Sequence, residues 1–166
     1  AGHLVAEGII RSKDEIDRIA VDEERMRVDI VTAPGVDVAG RPSRLRTLVS
    51  GSPGSGQQPD IVIPARSELP PVDPRIVLSS MNEFLYLSKT HQMTHGVHSG
   101  ALYGLDGKRA AFFDEIGRHN AIDKLAGLAL IRGFSLDRYM LFSTGRVSSE
   151  IVMKAAPVGV FCLIFS

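Results

Sequence analysis

The segment from Phe112 to Glu150 narrows the fold more than any other, because it contains one device twice. An apolar, strand-like run (Ala110–Phe113, then Tyr139–Phe142) ends in a polar turn with one glycine, Gly117 and then Gly145. An arginine follows at once, Arg118 and then Arg146, and an amphipathic helix begins. Strand alternating with helix predicts a mixed α/β fold with parallel strands and a right-handed crossover. A helix start presents backbone N–H groups without intrahelical partners at the positive end of the helix dipole. A glycine turn and a guanidinium beside it suit an oxyanion such as phosphate. Two such turns, set side by side by parallel strands, suit a ligand with more than one anionic group.

The anion preference has to be local. Lys+Arg and Asp+Glu number 19 each, so no overall field favours nucleic acid or an acidic membrane. Cys162 is the only cysteine, which excludes an internal disulfide and a secretory disulfide framework, and it reads as a buried strand thiol. The longest apolar run, Val158–Phe165, is far too short to span a membrane. A cytoplasmic protein is therefore expected. The 166 residues read as one domain, with 1–72 an N-terminal β-rich part carrying a mobile Pro/Gly-rich loop and 73–166 the α/β core.

In chain order, Ala1–Ile10 reads as the last turns of a helix stopped near Gly8. Glu15–Val21 and Arg25–Val31 flank an acidic turn at Asp22–Glu24 and predict a β-hairpin with a register break. Eight of the nine prolines lie between Pro34 and Pro74, around the loop Ser50–Gly56 (SGSPGSG). That loop has the spacing of a phosphate loop at Gly51 and Gly56, but Gln57 stands where the phosphate-reaching lysine is needed, so the motif fails. Asp73-Pro74 opens a helix with an apolar face to about Leu87. His91, His95 and His98 would share a helical face, yet Gly96 and the absence of a nearby cysteine or suitable carboxylate argue against a metal. No metal site is predicted, and His98 is assigned a ligand-facing role.

Arg118, His119, Asn120, Asp123 and Lys124 crowd seven positions, a density beyond what capping needs. On the plainer reading Asn120 caps the helix and Asp123 only complements its dipole, while Ser143 or Thr144 caps the helix that carries Glu150.

GRHNAIDKLAGLAL and STGRVSSEIVMKAA resemble the motifs of the FdhD family, the formate dehydrogenase accessory sulfurtransferases. LVAEGII near the start is similar to that family's L-x-x-E-G-I-I, and His95–Leu102 matches its G-G-x-H-x-A-A-L element more loosely. The resemblance implies a cytidine-deaminase-like mixed sheet flanked by helices, without the zinc site. It also implies a homodimer that takes sulfur from a cysteine desulfurase and passes it to the molybdenum (or tungsten) bis-guanine-dinucleotide cofactor of formate dehydrogenase. Arg118, His119, Asn120, Asp123 and Lys124 would form one wall of the cofactor site; Arg146, Ser148 and Ser149 would form the other, with His98 at the mouth. The family's sulfur-carrying loop cysteines fall on Ser52 and Ser55 here, and a hydroxyl cannot hold a persulfide. The alternative is therefore a cofactor- or nucleotide-binding chaperone without sulfur transfer. A third, weaker reading is a nucleotide hydrolase with His119 as base. The helix already under way at Ala1 and the break in pattern between Ala156 and Pro157 predict missing residues, also at both ends.

Overall fold

A computed structural model describes residues 1–39, 41, 71–146, 148–160 and 162–165. The loop serines Ser52 and Ser55 lie outside the described residues. Two sheets are present among these residues. The smaller is a hairpin of β1 (Ile16–Asp22) and β2 (Arg27–Thr32), preceded by a short helix α1 (Gly2–Ala6). Its register slips between Ile16 and Arg18, the irregularity expected from the imperfect alternation. The turn closes later than the sequence suggested, at Met26 with φ 51°, because the Asp22 side chain accepts from the Arg25 N–H at 3.0 Å. Cross-strand pairs Ile19–Ile30 and Val21–Val28 collect the apolar residues on one face of the ribbon. Arg41 ties this part together, its guanidinium donating to both Glu15 carboxylate oxygens and to the Ile9 carbonyl.

The larger sheet has strand order β4 (Arg109–Glu115), β3 (His98–Gly104), β5 (Tyr139–Ser143), β6 (Cys162–Phe165). β3 runs antiparallel to both neighbours, so β4 and β5 point the same way with β3 between them. β6 is parallel to β5 and is reached through the crossover helix α5 (Ser149–Val158). The turn at Asp106-Gly107 closes the β3–β4 hairpin with Gly107 at φ 80°, a left-handed position that favours glycine.

Helices cover both faces of this sheet. On one side α2 (Pro74–Leu85) packs Phe84 against Ala101, Tyr103, Met140 and Phe142. Asp73 caps α2, accepting from the Arg75 N–H at 2.9 Å, with Pro74 as the first helical residue. On the other side α4 (Arg118–Arg132) and α5 pack Ile122, Leu125, Ala129 and Ile151 onto Leu102 and Leu141. α4 ends at Gly133 in the left-handed conformation, as its sequence predicts. α5 runs across Ala156 and Pro157 and stops at Gly159.

Leu125 is fully buried between α4 and the central strand, with its Cδ1 close to the Gly100 position. Leu125→Ala should therefore destabilise the fold by about 2–5 kcal/mol, measured by urea unfolding, since neighbours on a sheet relax only partly into the void.

Candidate functional site

One end of the larger sheet gathers the residues that carry chemistry. It holds the first residue of β3 (His98), the last residues of β4 (Asp114 and Glu115) and of β5 (Ser143), and the starts of α4 and α5. Their geometry is set by polar exchange between backbone and hydroxyls. The Ser99 N–H donates to Thr144 Oγ1 at 2.9 Å, and the Thr144 N–H returns a bond to the Ser99 carbonyl at 3.1 Å. The Gly145 N–H donates to Ser143 Oγ at 3.2 Å, which closes the turn. This turn therefore sits against β3, not merely at the end of β5.

The same turn abuts the start of α4. A Cβ placed on Gly145 would lie 2.8 Å from Arg118 Cβ and 2.9 Å from Arg118 Cδ, so the Arg118 side chain lies across the glycine. The two glycine–arginine turns inferred from the sequence are thus in direct contact. Gly117, not Asn120, is the N-cap of α4, and it provides no side-chain cap. Asn120 is exposed and folds back near Gly117. Ser148, not Ser143 or Thr144, caps α5, its Oγ accepting from the Ile151 N–H at 3.4 Å. Ser149 is the first residue of α5, and its side chain lies outside the described part.

Charge is unevenly satisfied here. Arg118 Nε is buried with no hydrogen-bond partner, and no carboxylate among the described residues forms an ion pair with Arg118 or the exposed Arg146. Three of the nearby carboxylates are held by other groups, and the fourth, Glu150, stands beside His119. Asp114 accepts from the Ser88 and Ser99 hydroxyls, both at 2.7 Å. Glu115 pairs with Lys124, whose ammonium also lies 5.7 Å from the Phe113 ring centroid. Asp123 receives two bonds from Lys154, at 2.7 and 2.8 Å. His119 Nε2 stands 3.3 Å from Glu150 Oε2 but not in hydrogen-bonding geometry, so it too is a buried, unpaired nitrogen.

Both histidines are held below the ordinary imidazole pKa. Burial is the main cause for His98, followed by the positive charge of Arg118, with the neighbouring His91 and Arg146 acting in the same direction. For His119 burial again dominates, then Arg118, with Glu150 pulling the other way. Such a place, with two arginines that have no carboxylate partner among the described residues and two imidazoles biased toward the neutral form, suits an oxyanion ligand.

The residues of the two expected walls differ in their partners. Arg118, Arg146, His98 and His119 come together, whereas Asp123 and Lys124 are engaged with Lys154 and Glu115. The histidine triplet shares no helical face, because α3 (Lys89–Thr94) stops and His95 turns left-handed at φ 51°. His91 instead donates from Nδ1 to the Val97 carbonyl at 2.8 Å. Among the described residues no three potential ligands are grouped for a metal.

The sequence reading missed Lys154, Ser99, Thr144 and His3. Lys154 left a signal: it falls on the same helical stripe as Ile151 and Ala155, and a lysine on a buried stripe needs an acidic partner. His3 lies 3.4 Å from Asp123 and 3.5 Å from Lys154.

The model of the FdhD/NarQ family matches residues 1–165. The chain is 34% identical to the sulfur carrier protein FdhD of Bacillus subtilis, across 98% of this chain and 63% of the relative. It is 32% identical to the protein of the same name from Streptomyces avermitilis, across 96% of this chain and 63% of that one. A crystal structure of a formate dehydrogenase accessory protein from Desulfotalea psychrophila superposes with a TM-score of 0.70. It shares 23% identity over 99% of this chain and 59% of that one, a likeness of fold. The chain thus spans about 63% of the length of the curated relatives it matches. No helix among the described residues is long and apolar enough to cross a membrane.

Two predictions follow from the geometry. Gly145→Ala forces a methyl into Arg118 and should cost about 1–3 kcal/mol in urea unfolding. The depressed histidines set a pH dependence. Unfolded imidazoles protonate near 6.5 and the folded ones only lower, so stability is full above that value and declines as pH falls below it. Melting followed from about pH 7.5 down to about pH 5.5 should show this decline, and His98→Gln/His119→Gln should flatten it.

Proposed function

On the footing that this chain belongs to the FdhD/NarQ family, we propose that it binds the molybdenum (or tungsten) bis-guanine-dinucleotide cofactor in support of formate dehydrogenase. The observation that carries this reading is the contact between the two turns, which places Arg118 and Arg146 together without carboxylate partners. The dinucleotide is cargo with several phosphates, and its charge matches what these residues lack. Arg118 and Arg146 would hold phosphate oxygens, assisted by the open N–H groups at the starts of α4 and α5. His98 and His119 would donate hydrogen bonds to the same oxygens, taking up protons as the anion arrives. The cytidine-deaminase-like description of the fold and a two-fold dimer belong to this proposal.

The names of the relatives add sulfur carriage, which in this reading would draw on a cysteine desulfurase. Here the chain's own sequence favours the narrower function. Ser52 and Ser55 stand at the loop positions where the family's cysteines are expected, and an alkoxide is not accessible near neutral pH as a thiolate is. Binding of the cofactor without sulfur transfer through that loop is the reading these residues support. Incubation with a desulfurase and labelled cysteine should leave the loop unlabelled.

GDP is the accessible fragment of the cofactor. Calorimetry should show it binding wild type and binding Arg118→Ala at least tenfold more weakly. A charge-assisted phosphate contact contributes about 1.5–3 kcal/mol. Affinity unchanged by the substitution would remove Arg118 from the site.

A further inference from the structure

Counted from their first residues, α4 and α5 meet at matching positions. The second residue of α4, His119, faces the second residue of α5, Glu150, at 3.3 Å. The sixth residue of α4, Asp123, pairs with the sixth residue of α5, Lys154, at 2.7 and 2.8 Å. The two contacts lie four residues apart on each helix, so the helices run parallel and in step, with their starts at one level. The second contact is a buried ion pair: the Lys154 side chain is 6% exposed and that of Asp123 13%. His3 closes a third corner from α1, and Gly2 packs so tightly on α4 that a Cβ there would overlap the Asp123 carbonyl.

A buried ion pair is weak evidence for stability, since a well-packed apolar pair of similar volume often serves as well or better. Its particular property is direction. Leucine against methionine tolerates a slide along the helix axis, whereas an ammonium between two carboxylate oxygens has one favoured position. The nearest features that such a slide would disturb are the two helix starts and the Arg118–Gly145 contact.

We propose that Asp123 and Lys154 are positioning residues that hold the starts of α4 and α5 at one level, so that a ligand with two linked phosphates engages both at once. This rests on the anion-site reading above. It assigns Asp123 a place behind the site and brings in Lys154, whose ammonium is engaged by Asp123. A single phosphate needs only one helix start, so its affinity is indifferent to the level of the other. Linked phosphates gain from both contacts only when the two starts are in step.

The test compares GDP with inorganic phosphate on the full chain, by calorimetry, in wild type and in Asp123→Leu/Lys154→Met. The expected result is a melting temperature near wild type, phosphate affinity within about twofold, and GDP affinity about tenfold lower. Equal loss for both ligands would make the pair a structural element only and overturn the proposal, as would no loss for either. If the apolar variant does not fold, Asp123→Glu is measured instead. It keeps the charges but lengthens the bridge by one methylene, and a fall in GDP affinity without a fall in phosphate affinity is again required. Failure of wild type to bind GDP at all would remove the anion-site reading itself, a result distinct from binding that ignores the pair.

Discussion

The direction of β3 decides where everything else can be. Because it runs against both neighbours, β4 and β5 are forced parallel, and the chain leaves both at the same end of the sheet. The helices that follow then start at that end and return across one face, packing against each other as well as on the sheet. Gly100 in the middle of β3 makes the close approach of α4 feasible, with Leu125 and Ala121 filling the space a side chain would need. A strand that begins where its neighbours finish also brings His98 to the same place.

The electrostatics of that end follow from how its carboxylates are engaged. Serine hydroxyls hold Asp114, and Lys124 and Lys154 hold Glu115 and Asp123. The cations left over are arginines, which cannot shed their charge as a lysine or histidine can. Burial first, and these charges second, lower the pKa of both imidazoles. A chain with no net formal charge thus maintains a local positive field, and it does so by allocation of partners rather than by composition.

Much of this was legible in the sequence. The strand–glycine–arginine–helix repeat predicted β4, α4, β5 and α5 and the adjacency of their turns, because periodicity and punctuation act locally. The hairpin, its irregularity and the Asp73-Pro74 helix start were equally readable. What the sequence did not reveal depends on side chains brought together from far along the chain. Asp123 read as a wall of the site, and its partner Lys154, 31 positions away, was not legible beside it. Asn120 looked like a cap, but Gly117 already occupied that position, one residue before Arg118 begins the helix. The histidine spacing suggested a shared face only on the premise that the helix continued, and the backbone turns left-handed at His95 first.

The contact between Gly145 and Arg118 changes how the two motifs should be compared with other sequences. They are separate words on the page, but sterically a single specification: the absent side chain at one position is the room for the long side chain at the other. A related chain with a short residue in place of the arginine would free the glycine to become alanine or serine. The two positions should then drift together. The glycine in the second motif is therefore best read as a record of what stands at the head of the first.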